Sequence, residues 1–98
     1  MEQQQNDVKE KTRYKAPKLY KVIIFNDDIT TMDFVVMVLK KVFHKSEEEA
    51  EAIMLATHNE GKAVVGIYTF DMACTKIGQA LMMAKENGFP LRFEYKPE

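Results

Sequence analysis

The run LYKVIIF, residues 19 to 25, commits this chain to a β-sheet. Val, Ile, Tyr and Phe suit a pleated, half-buried surface, and the run stops at Asn26-Asp27-Asp28, a row of turn formers. What precedes it is different in kind. Residues 1 to 17 hold a Gln run and alternating charges, with almost no apolar side chain before Tyr14. Such a stretch cannot offset the entropy of being ordered, so a flexible extension ending near Pro17 is expected, and the domain proper spans 18 to 98.

After the turn the period changes from two to that of a helix. Thr30 stands three residues before Asp33, a capping-box spacing, and Met32, Val35, Leu39 and Val42 fall on one stripe, so a helix is expected over about Thr31 to Phe43. Ser46 and Glu49 repeat the device, and Glu47, Glu48 and Glu49 place negative charge at the positive end of the next helix dipole. That helix carries Ala50, Ile53, Met54 and Thr57 on its stripe and runs to about Asn59, with Gly61 as its left-handed cap. KAVVGIYT, residues 62 to 69, reads as a strand. Ala73, Ile77, Ala80, Leu81 and Ala84 are spaced as a third helix, closed by Gly88 and Pro90. From Leu91 to Lys96 apolar and charged residues alternate, the pattern of a strand with one wet face. The order β-α-α-β-α-β predicts an α+β fold: a three-stranded antiparallel sheet with three helices on one face.

Composition narrows the function. With 98 residues the chain supports a single modest core. Fourteen basic residues against 15 acidic ones give a net charge of −1, which lacks the cationic excess of a phosphate-backbone binder, so nucleic acid is not expected as a partner. No apolar run approaches the length of a membrane span, and the N-terminus MEQQQNDVKEK lacks the apolar stretch of a secretory signal. A cytoplasmic protein is expected. The lone Cys74 agrees, since one thiol makes neither an internal disulfide nor a zinc cluster.

The residues able to do chemistry are few. Asn26, Asp27 and Asp28 sit between a strand and a helix start, where acids and amides also serve simply as turn formers favoured by the dipole. His58 lies four residues after Met54, on the same helical face. If the first two helices are antiparallel, the end of the second returns to the start of the first, beside Asn26 and Asp27. His44, at the end of the first helix, reads as a surface residue. A carboxylate, an amide oxygen and a neutral imidazole are all acceptors and together suit an α-ammonium group. Met32, Val35 and Met54 can line an apolar hole next to it or simply belong to the core; unbranched methionines, seven in this chain, adapt to several bulky groups. An acid-base or metal site from Asp27, Asp28 and His58 is the rival reading, but no Ser or Cys stands beside a base and the four glycines form no phosphate loop. A plain scaffold that binds a partner through its third helix is a further alternative.

YKVIIFNDDITTMDFVV, residues 20 to 36, followed by MLATHNEGKAVVGIYT, residues 54 to 69, resembles the ClpS family of bacterial adaptors, which bring N-degron substrates to the ClpA unfoldase of the ClpAP protease. The resemblance extends from about Tyr20 to Leu91. It implies that Asn26, Asp27 and His58 hold the free α-amino group and first peptide unit of a substrate, with Asp28 supporting the loop. Thr30, Met32, Val35, Met54, Thr57 and Leu91 would line the pocket for a first side chain of Leu, Phe, Tyr or Trp, and Met32 matches the gatekeeper that excludes β-branched ones. Asp71 and Lys76 match the positions that dock on the unfoldase's N-terminal domain. The resemblance implies a monomeric, non-enzymatic adaptor without cofactor or metal. Two positions depart from the common pattern: Thr31 stands where many members have Pro, and Ile29 where an aromatic residue is frequent.

Overall fold

The computed structural model describes residues 16–98. The expected N-terminal extension lies, but for Ala16 and Pro17, outside the described residues. The elements follow as β1 (Leu19–Phe25), α1 (Met32–Lys41), α2 (Glu47–Glu60), β2 (Lys62–Thr69), α3 (Phe70–Glu86) and β3 (Arg92–Pro97). The three strands are antiparallel in the order β2-β1-β3, so the apolar run Leu19–Phe25 is the central strand. Leu19 pairs with Thr69 and Phe25 with Lys62, with one irregularity between Val22 and Ile23 that leaves Val65 as the extra residue. Among the described residues no helix is long and apolar enough to cross a membrane.

The helices cover one face of the sheet, as the element order predicts. Val22 and Ile24 are fully buried on that face with Val38 and Leu39 of α1, and Val65, Ala73, Ala80, Ala84 and Phe93 complete the same core. Aromatic rings close its flanks, Phe34 lying 4.8 Å from Phe89 and Phe43 5.6 Å from Phe93. Ile23 points the other way yet is also buried; its partners across the ladder are Val64 and Glu94.

The expected capping of α2 is present in full. Ser46 accepts from the Glu49 amide at 3.1 Å and the Glu49 carboxylate accepts from the Ser46 amide at 3.0 Å. At its other end Gly61 takes a φ of 90°, where a side chain is strained, and its amide donates to the Thr57 carbonyl at 2.9 Å.

Three expectations need correcting. Thr31, not Thr30, caps α1, accepting from the Phe34 amide at 3.2 Å, because the Thr30 hydroxyl is held by Asp27. The helix ends at Lys41 rather than Phe43, since His44 turns the chain with a left-handed φ of 57° and the Lys45 amide closes back on Leu39. On α3 the buried stripe is Ala73, Lys76, Ala80 and Ala84, and Leu81 is exposed. Lys76 sits there because α1 ends above it: its ammonium donates to the Val42 carbonyl at 3.0 Å and lies 5.8 Å from the Tyr68 ring centre. A cation is favoured at a helix C-terminus, where carbonyls lack partners.

Candidate functional site

At the Phe25 end of the sheet, where β1 leaves for α1 and α2 arrives, lies a cavity of about 230 Å³. It is lined by Phe25, Asn26, Asp27 and Asp28 of the strand end and loop, Thr30, Met32 and Val35 around the start of α1, Met54, Thr57 and His58 of α2, and Leu91 before β3. Every residue expected at the amino-binding and hydrophobic positions is therefore at this cavity, together with one that was not expected, Phe25.

One backbone hydrogen bond brings the parts together. The Asn26 amide donates to the Gly61 carbonyl at 2.9 Å, tying the first residue of the acidic turn to the cap of α2. His58 lies within the last turn before that cap, so its ring faces the same cavity as Asn26 and Asp28. The antiparallel packing of α1 and α2 predicted this meeting; the Gly61 carbonyl that holds it is a backbone group and leaves no mark in side-chain pattern.

The lining is graded from apolar to polar. Val35, Thr57 and Leu91 are buried at its base, Phe25, Thr30 and Met54 are half-buried, and Met32, 43% exposed, stands at the mouth with Asn26, Asp28 and His58. The Thr57 hydroxyl donates to the Ile53 carbonyl at 2.7 Å, so its proton is spent within α2 and the base of the cavity is left without a competing donor.

The two acids of the loop do different work. Asp27 Oδ1 accepts from the amides of Ile29 at 2.8 Å and Thr30 at 2.7 Å, and its Oδ2 accepts from the Thr30 hydroxyl at 2.7 Å. Burial pushes the Asp27 carboxyl up, but these bonds from Thr30 and Ile29 outweigh it and hold the pKa below the ordinary 3.8. Asp27 thus ties its own loop while also lining the cavity. Asp28 is exposed, and among the described residues its carboxylate has no hydrogen-bond or ion-pair partner; the side chains of Asn26 and His58 are likewise unpartnered. Three acceptors stand open around one apolar hole. Among the described residues no group of three or more His, Cys, Asp or Glu side chains is placed to hold a metal ion.

The two positions expected to dock on a partner lie elsewhere and differ from each other. Asp71 is exposed in the first turn of α3. Lys76 is 8% exposed, its ammonium committed to Val42 inside the chain, so it offers a partner no free charge in this conformation.

Known proteins match this chain in sequence and in fold. The family profile described as ATP-dependent Clp protease adaptor protein ClpS matches residues 15–94. The ATP-dependent Clp protease adapter protein ClpS of Acetivibrio thermocellus is 54% identical over 85 residues, covering 87% of this chain and 86% of that one. Its counterpart in Deinococcus radiodurans is 49% identical over 89 residues, covering 91% and 79%. Among solved structures, Agrobacterium tumefaciens ClpS2 bound to L-phenylalaninamide superposes with a TM-score of 0.81 at 47% identity, covering 85% of this chain and 100% of that one.

Proposed function

This chain belongs to the ClpS family of Clp protease adaptors, and on that premise we propose that its cavity binds the first residue of a protein substrate, by the free α-amino group and a large hydrophobic side chain. It is an adaptor of a protease, not itself an enzyme. The observation that carries the reading is the set of three acceptors, Asn26, Asp28 and His58, that have no partner among the described residues and stand around a cavity whose base is Val35, Thr57 and Leu91. An α-ammonium offers three donors and one positive charge to such a rim, and a Leu, Phe, Tyr or Trp side chain offers apolar surface to such a base. The ligand of the Agrobacterium protein, L-phenylalaninamide, is a molecule of this kind: a free α-amine, a benzyl group and an amide where a peptide would continue. Asp27 enters indirectly, by holding the turn that presents Asn26 and Asp28.

Neither half of the site suffices alone. Burying one such side chain is worth roughly 1.5 to 3 kcal/mol, whereas micromolar binding needs about 8 kcal/mol, so the charge-assisted bonds must supply much of the remainder. The bound chain would then be handed to a ClpA-type AAA+ unfoldase docked near Asp71 on α3, in the cytoplasm, by a monomeric adaptor. The β1 strand separates the two ends: Phe25 borders the cavity and Leu19 pairs with Thr69, next to α3, about 20 Å away at the rise of a strand.

The test is calorimetry with a short Phe-initiated peptide and its N-acetylated twin. Acetylation removes the charge and should weaken binding by about a hundredfold or more, the loss of two charged hydrogen bonds. Equal affinities would return the acidic turn to the role of a mere connection.

A further inference from the structure

The helices cover one face of the sheet, and strand register shows what the other face presents. Its charged positions are Lys21 on β1, Lys62 on β2, and Arg92, Glu94 and Lys96 on β3. Leu19, Val64 and Ile67 are exposed on the same face. Four cations thus share it with one acid, and that acid is already engaged, since Glu94 accepts from Arg92 at 2.9 Å. Among the described residues Lys21, Lys62 and Lys96 have no acid partner. Lys21 and Lys96 stand directly opposite each other in the ladder, a like-charge pair that costs stability. The chain as a whole has a net charge of −1, so positive charge is concentrated on the face that no helix covers.

We propose that this open face is a docking surface for an acidic stretch of the substrate chain, downstream of the residue held in the cavity. The proposal rests on the reading that the cavity takes a first residue. Position supports it. Lys62 and Arg92 flank Phe25, a residue that borders the cavity, and Lys62 follows Gly61, whose carbonyl holds the acidic turn. From that row to the one of Lys21 and Lys96 is about 13 Å at the rise of a strand, which about four extended residues span. A chain anchored in the cavity reaches these cations within its next several residues. Carboxylates there would relieve the opposition of Lys21 and Lys96, and apolar neighbours would meet Leu19, Val64 and Ile67. Residues 1–15 of this chain are a poorer occupant by charge, with four basic residues against three acidic ones. Three lysines without a partner among the described residues also fall short of the about four to eight basic residues of a lipid-binding cluster.

The experiment uses the whole chain and two labelled peptides, with affinities read by fluorescence anisotropy. Both begin with Phe and share neutral residues to about the fifth position, and over about six further residues alternate positions carry Glu in one and Gln in the other. The Glu peptide should bind about two- to tenfold more tightly at low salt, the worth of a few exposed ion pairs. That preference should be lost at about 1 M salt, where the screening length is about 3 Å. It should also be lost in a variant combining Lys21→Gln, Lys62→Gln and Lys96→Gln. If this variant fails to fold, the salt series carries the test. Equal affinities for the two tails at low salt overturn the inference and leave the face to residues 1–15 or to an anionic surface. A preference that survives in the folded variant overturns it too, because these lysines are then not its source. An N-acetylated Gln peptide that binds as tightly as the free one overturns the cavity reading instead, so the two failures are distinct.

Discussion

Asp27 and Asp28 stand side by side in the sequence and look interchangeable there. Their environments separate them, one spending three acceptor positions on its own loop and the other spending none among the described residues. Asp28→Asn is therefore expected to weaken peptide binding at least tenfold, the value of one charged hydrogen bond, with the urea midpoint unchanged. Asp27→Ala should lower both affinity and stability, the latter by about 1 kcal/mol for a partly exposed loop. The pH dependence of that loop follows from the direction of the shift. The folded pKa of Asp27 lies below the ordinary 3.8, so its contribution is fully present above that value and is lost only as pH falls through the lower folded pKa. A carboxyl-carbon NMR titration should place the Asp27 midpoint below 3.8; a midpoint at or above it would sink the assignment.

At the scale of elements, two helix ends build the site and each depends on a cap. Thr31 holds the start of α1, which presents Met32 and Val35 to the cavity, while Thr30 serves the loop before it. Thr31→Ala should lower stability by about 1 kcal/mol, the usual cost of losing an N-cap hydroxyl, seen as a fall in Tm of about 4 to 8 °C for a domain this small. The end of α2 matters differently: Gly61 turns the chain and lends its carbonyl to Asn26, so one residue both ends the helix and positions the acidic turn.

The whole molecule has a cavity at one end of a three-stranded sheet and the start of α3 at the other. That separation suits an adaptor, which must hold one protein while touching another. The two candidate docking residues should then behave unlike each other. Asp71→Lys should weaken binding to the unfoldase's N-terminal domain while shifting stability by less than about 1 kcal/mol, as expected for an exposed first-turn acid. Lys76→Met keeps the apolar stem but orphans the Val42 carbonyl, and urea denaturation should register a loss of about 1 to 3 kcal/mol. If Lys76→Met weakens docking with no loss of stability, the ammonium serves the partner instead of α1.

Periodicity alone determined the element order, the sheet, the Ser46–Glu49 box and the Gly61 cap, because each is written in residues a few positions apart. The resemblance named Thr30, Met32, Val35, Met54, Thr57 and Leu91, all of which line the cavity, and spacing suggested the meeting of His58 with the acidic turn. Only the tertiary structure decided which aspartate lacks a partner among the described residues, that Phe25 borders the cavity, and that Lys76 is buried beneath the end of α1. These were hidden for one reason. A side chain's role depends on which groups from distant segments take its hydrogen bonds or cover its surface, and no local pattern records partners such as Val42 for Lys76 or Arg92 for Phe25.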